Sequence, residues 1–153
     1  MLCKTSSVRI NGWIVGIALW IGVIFFSSTS LAAHWCEKAF RFLSAIIFSH
    51  LRADDSSYGL IHLLADKSVH VGLFLVLALL LWQALPNAQW KIVRIILFGA
   101  AVGSASEFLQ RFFPGRDPAV RDVLINVAGT AVGVGVCLAW IKYRSRTEAF
   151  VLK

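Results

Sequence analysis

Charge is scarce in this chain. Asp, Glu, Lys and Arg supply 15% of the 153 residues and hydrophobic residues 58%, whereas a soluble domain carries about 25% charge, so an ordinary water-soluble globule is excluded. Acidic residues are the scarcer sign, eight against fifteen Lys and Arg. Cysteine is sparse too. Cys3, Cys36 and Cys137 are far apart, odd in number and form no C-x-x-C pair, which argues against a disulfide framework or a zinc site and leaves Cys137 as a small core residue. There is no internal repeat, no low-complexity tract and no phosphate-cradling glycine loop before a helix. No metal site is assigned and no cofactor is specified. The length suits one compact membrane domain over residues 1–153, with no soluble catalytic domain beside it, so any chemistry sits on the spanning helices.

Four apolar runs stand out against this background. Ile10 to Phe26 is seventeen uncharged residues, close to the roughly 20 that a spanning helix needs. A cleaved signal peptide is the competing reading, because Ser30-Leu31-Ala32 resembles a cleavage site, but the run exceeds the usual apolar stretch of about 7 to 15 residues. Val71 to Leu85 is the second run, stopped by Pro86, and Val123 to Ile141 is the fourth, nineteen residues without a charge. The third, Ile95 to Ser106, has only twelve uncharged residues, about 18 Å of helix against a hydrocarbon core of about 30 Å. It spans only if Arg94 snorkels to one surface and Glu107 is hydrated or paired near the other. The expected fold is all-α: a four-transmembrane-helix bundle with helices over about residues 10–27, 67–85, 92–112 and 119–141. Between the first two, Trp35, Ala39, Phe42, Ile46 and Ile47 recur at helical spacing among Glu37, Lys38 and Arg41. That pattern predicts an amphipathic interfacial helix over about 33–50, or equally a helix packed over the bundle ends. Residues 52–58 read as a polar loop, and the tryptophans 13, 20, 82, 90 and 140 as ordinary aromatic belts.

Cations set the expected orientation. Lys4, Arg9, Lys91, Arg94, Lys142, Arg144, Arg146 and Lys153 lie in short segments on one side, and seven of the eight acids lie on the other. Both termini are therefore expected in the cytoplasm, with the chain in the bacterial inner membrane. The cation excess suits anionic membrane lipid as a partner and does not suggest nucleic acid.

In an antiparallel bundle the unusual polar residues fall at one depth. Asp66, Lys67 and His70 open the second helix, Glu107 and Gln110 close the third, and Asp122 and Asn126 open the fourth, with Ser27 and Ser28 ending the first. Spacings of three or four place the members of each pair on one helix side. Along the same stripes Glu107 leads to Gly103 and Gly99, and Asn126 to Gly129 and Gly133, small-residue surfaces that let helices approach closely. Pro114-Gly115 marks a turn, Asp117-Pro118 fits a helix cap, and Arg116 and Arg121 stand over the cluster. Arginine there could clamp a phosphate or carboxylate bidentately, or merely neutralise Glu107 and Asp122. The plainer readings are Asp66 as an N-cap, His70 as a structural histidine, and the charges as a closed network locking the bundle.

Asp66-Lys67-x-x-His70, Glu107-x-x-Gln110 before Pro114-Gly115-Arg116, and Asp122-x-x-x-Asn126-x-x-Gly129 before a glycine-rich helix resemble the VanZ-like family of small bacterial membrane proteins, over roughly residues 10 to 141. The resemblance implies a link to resistance to the glycopeptide teicoplanin, and it implies a fold more firmly than an activity. The chain departs from it in the long stretch 31–65.

Three functions remain open. The first is binding of an anionic cell-envelope lipid or peptidoglycan-type ligand at the outer interface, with Asp66, Lys67, His70, Glu107, Gln110, Arg116, Arg121, Asp122 and Asn126 as ligand-binding residues. The second is a membrane enzyme using His70, Glu107 and Asp122 as catalytic acid and base or as holders of a divalent metal; its weakness is a lone histidine with no nucleophilic serine or cysteine beside it. The third is a scaffold for a membrane-protein partner in an envelope complex, contacted through the amphipathic segment.

Overall fold

The computed structural model describes residues 4–48, 55–115 and 119–151. Five helices account for nearly all of them: α1 (Lys4–Ser27), α2 (Ser30–Phe48), α3 (Asp55–Ala84), α4 (Lys91–Gln110) and α5 (Val120–Val151). No strand occurs among the described residues. Helices α3, α4 and α5 are each long and apolar enough to cross a membrane, and α1 with α2 qualifies as a bent pair. Within α1, Gly12–Ser27 passes only together with Ser30–Ser44 of α2. Three candidate spans therefore stand by themselves, and the number is four if the bent pair is one span.

Two expected boundaries move. Helix α3 starts at Asp55, twelve residues before the expected position 67, and its 30 residues make about 45 Å, more than one bilayer core. Asp55 to Tyr58, read above as loop, form its first turn, while 52–54 lie outside the described residues. The reason is that Leu60, Ile61, Leu63, Leu64 and Ala65 are adequate helix formers and Gly59 is the one strong helix breaker between Asp55 and Asp66. The charges at Asp66 and Lys67 mark a depth and not an end, so Asp66 is no N-cap. Helix α5 likewise runs past the expected 141 to Val151, supported by an i,i+4 pair of Arg144 and Glu148 at 2.9 Å.

Helix α1 stops at Ser27, and the chain turns by 76° between Gly12–Ser27 and Ser30–Ser44. Thr29 Oγ1 accepts from Ala32 N at 3.3 Å, capping α2. Trp35, Phe42, Leu43 and Ile46 on α2 are exposed, so this apolar stripe is not covered by the rest of the described chain.

Helix α3 is central. It packs against α1, α4 and α5, and its Phe74, Leu77, Ala78 and Leu81 form the core with Ile24, Ile95, Val102 and Val134. Glycine sets the helix spacing. A Cβ at Gly129 would stand 2.7 Å from Val71 O, and one at Gly133 2.7 Å from Leu75 O, so α5 lies directly on the α3 backbone. Gly103 meets Asn126 and Gly99 meets Thr130 across the α4–α5 contact. Trp20 is not a belt residue: from within α1 its Nε1 donates to Leu73 O at 2.8 Å. Lys91, counted above as a loop cation, is buried at the start of α4, over the Trp82 ring and donating to Asn87 Oδ1 at 3.0 Å.

Candidate functional site

At the end of the bundle where α1 and α4 finish and α5 begins, polar side chains from α1, α3, α4 and α5 are buried. Lys67 reaches from α3 to α5, donating to Asp122 Oδ2 at 2.8 Å, and holds Asp66 Oδ2 at 3.2 Å on its own helix. One turn along α3, His70 Nδ1 lies 3.2 Å from Asn126 Oδ1. A carboxamide oxygen only accepts, so His70 carries a proton on Nδ1. The buried hydroxyl of Thr130 closes this layer by donating to Asn126 O at 2.9 Å.

Glu107 sits on the last turn of α4, on a stripe with Gly99, Gly103, Ser106 and Gln110 that is buried throughout. Its Oε2 accepts from Ala119 N at 3.2 Å, just before α5 starts. A carboxylate there takes up a free amide and complements the positive end of the helix dipole. Glu107 therefore anchors α5 to α4 across the intervening turn, in which Gly115 has a φ of 76°. Asp122, His70 and Lys67 all act on it electrostatically.

Among the described residues, three atoms in this cluster are buried and lack a hydrogen-bond partner: Glu107 Oε1, Asp122 Oδ1 and Asn126 Nδ2. Their residues are 5%, 7% and 0% exposed. Arg121 Nε lies 3.6 Å from Asp122 Oδ1, beyond hydrogen-bond range. The Arg121 side chain is itself 71% exposed.

Of the residues singled out from sequence, Asp66, Lys67, Asp122 and Arg121 form one ion cluster, His70 and Asn126 a hydrogen-bonded pair, and Glu107 a bridge to α5. Gln110 is buried one turn beyond Glu107. Arg116, with the Asp117-Pro118 cap, lies outside the described residues. Two participants were missed. Ser106 is hydrogen-bonded to Ser28 at 2.6 Å, both fully buried, joining α4 to the end of α1, and Thr130 supports Asn126. Both lie three or four residues from residues already singled out, and that spacing was their only signal. Ser28 also donates to Ile24 O at 3.1 Å, so the pair is built like a helix clasp and not like a nucleophile with its base. Among the described residues no three His, Cys, Asp or Glu side chains are grouped to hold a metal ion.

No match was found among curated proteins or among solved structures. A family model does match, described as VanZ/LLP1, over residues 13–142. That stretch contains every described residue of the buried cluster, as well as the glycine contacts that hold its helices together, and it makes this chain a member of the VanZ/LLP1 family.

Proposed function

We propose that this protein binds the polar head group of a cell-envelope molecule, an anionic lipid or peptidoglycan-type ligand, at the outer membrane–water interface, and that this binding underlies a contribution to glycopeptide resistance of the teicoplanin type. One observation carries the reading. Arg121 stands at the rim of the cluster, mostly exposed and 3.6 Å from its nearest carboxylate, with buried unpaired polar atoms beneath it. A network whose only task was to lock the bundle would satisfy itself. Here the planar guanidinium is left able to take a phosphate or carboxylate. Lys67 has a different part from that expected. With two carboxylates already on its ammonium, it positions Asp122 and is not the ligand's main cation. Arg116, expected from the sequence as a ligand-binding cation, lies outside the described residues.

The test is a pair of substitutions at Arg121. Arg121→Lys keeps the charge and loses the fork, and Arg121→Gln loses both. Each is expected to fold with a melting point close to that of the parent, because surface substitutions of this kind rarely exceed about 0.5 kcal/mol. Each should lose retained phosphatidylglycerol in native mass spectra from bilayer discs, together with the resistance phenotype. Unchanged retention in both variants, and in the same pair at Arg116, would reject the anion clamp. Orientation is tested separately. Reporters fused after Lys153 and after Asp54 should lie on opposite sides of the membrane, the first cytoplasmic; the reverse result would put the cluster on the inner face.

A scaffold role has one observation of its own, the uncovered apolar side of α2 with Trp35, Phe42 and Leu43. Co-purification of a single membrane protein, lost when Trp35 and Phe42 are replaced by Ser, would favour it.

A further inference from the structure

Resting on the head-group reading above, we infer that the buried floor of the site receives a primary ammonium group, so that the ligand carries N–H donors as well as an anion. The unpaired atoms state what is lacking. Two of the three, Glu107 Oε1 and Asp122 Oδ1, are carboxylate oxygens that can only accept. Each carboxylate already has its other oxygen engaged, Glu107 Oε2 by Ala119 N and Asp122 Oδ2 by Lys67. An anion placed here would meet two more acceptors. An ammonium supplies a donor to each, and charge-assisted bonds of this kind are the strong ones.

Charge counting leads to the same ligand. Among the described residues the cluster holds Asp66, Glu107 and Asp122 against Lys67 and Arg121, and Arg121 projects to solvent. Lys67 is shared between Asp66 and Asp122, so among the described residues the Glu107 carboxylate has no ion pair of its own, and the repulsion from Asp122 is met by His70 and Lys67 only at longer range. A cation between Glu107 and Asp122 offsets that repulsion. The third unpaired atom, Asn126 Nδ2, is a donor one helical turn from Asp122. It packs closely against Gly103, where a Cβ would come within 3.3 Å of it. It is suited to an acceptor next to the ammonium, such as an ester or hydroxyl oxygen. The arrangement from rim to floor is therefore Arg121 for an anion and Glu107, Asp122 and Asn126 for an amine with its neighbouring oxygen. An aminolipid head group has this order of charges, and so does a free amino alcohol phosphate.

The experiment uses the full chain in bilayer discs of equal parts phosphatidylethanolamine, phosphatidylcholine and phosphatidylglycerol, with retained lipid read by native mass spectrometry. Phosphatidylcholine carries the same charges but no N–H. The expected result is retention of phosphatidylethanolamine over phosphatidylcholine by about tenfold, the value of one good charge-assisted bond. Glu107→Gln keeps an acceptor for Ala119 N and turns the unpaired acceptor into a donor, so it should abolish the preference while the helices stay folded. If that variant does not fold, the comparison within the parent protein still decides. Displacement of the lipid by free phosphoethanolamine would identify a soluble source for the same chemistry, and its failure would leave the lipid. Equal retention of the ethanolamine and choline lipids overturns the ammonium floor. Preferential phosphatidylglycerol overturns it too, yet leaves the anion reading standing. Retention of no lipid, with no response to phosphoethanolamine, overturns both and leaves the unpaired atoms to bound water.

Discussion

Gly129→Ala is expected to destabilise the protein by about 3 kcal/mol or more, the upper end of what overpacking costs, and Gly133→Ala by a similar amount. The added methyl at position 129 would lie 2.7 Å from Val71 O and 2.9 Å from Val71 Cα, and at position 133 2.7 Å from both Leu75 O and the Ala78 Cβ. Backbone atoms cannot rotate aside, so α5 must back away from α3. Separation is costly here because lipid tails are as apolar as side chains and helices associate in a membrane largely through close packing. Gly135 on the same helix is the control. Nothing lies within 4 Å of a Cβ there, so Gly135→Ala should be neutral or gain up to about 1 kcal/mol of helix propensity. Unfolding in mixed micelles on increasing denaturing detergent would measure all three. Equal behaviour of positions 129 and 135 would mean that the α3–α5 contact is not made as described.

The same glycines show what the sequence makes legible. A small residue every third or fourth position, on the side that also carries Asn126 or Glu107, has one economical meaning in an apolar helix. The contacts at Gly99, Gly103, Gly129 and Gly133 follow it. Periodicity also places His70, Asn126, Glu107 and Asp122 each on the inner side of its own helix, although His70 reaches the cluster from the middle of α3 and Glu107 and Asp122 from helix ends. What periodicity does not carry is pairing. That Lys67 crosses to Asp122, and so ceases to be a free cation, depends on the α3–α5 separation and not on any local pattern. Ser106 with Ser28, and Lys91 over Trp82, are hidden for the same reason: their partners are 78 and 9 residues away and carry no charge. Charge does not mark the start of α3, which runs twelve residues upstream of Lys67. Inside a bundle an ion pair can sit well within a helix, as Asp66 and Lys67 do.

That pairing carries the second large effect. The Lys67 side chain is 20% exposed and Asp122 10%, so neither charge can hydrate freely when its partner is removed. Lys67→Met is therefore expected to cost about 3–5 kcal/mol, as is usual when one member of a buried pair is lost. Among the described residues it would leave Asp122, beside Glu107, with the exposed Arg121 as its ion-pair partner. Asp66, 41% exposed, can turn to water and contributes little to the penalty. Asp122→Asn should cost a comparable amount by stranding the ammonium. The double variant removes both charges together, and its cost should fall below the sum of the two single changes by about 2–3 kcal/mol, the coupling expected of residues in direct contact. Strict additivity within about 0.5 kcal/mol would mean that the two side chains are independently solvated and that α3 is not tied to α5 at this point. The double variant also separates architecture from binding. With Lys67 and Asp122 both neutralised, Glu107 Oε1 is the remaining anionic acceptor of the floor. A folded double variant that has lost its lipid preference would show that the floor needs the Asp122 carboxylate as well as that of Glu107.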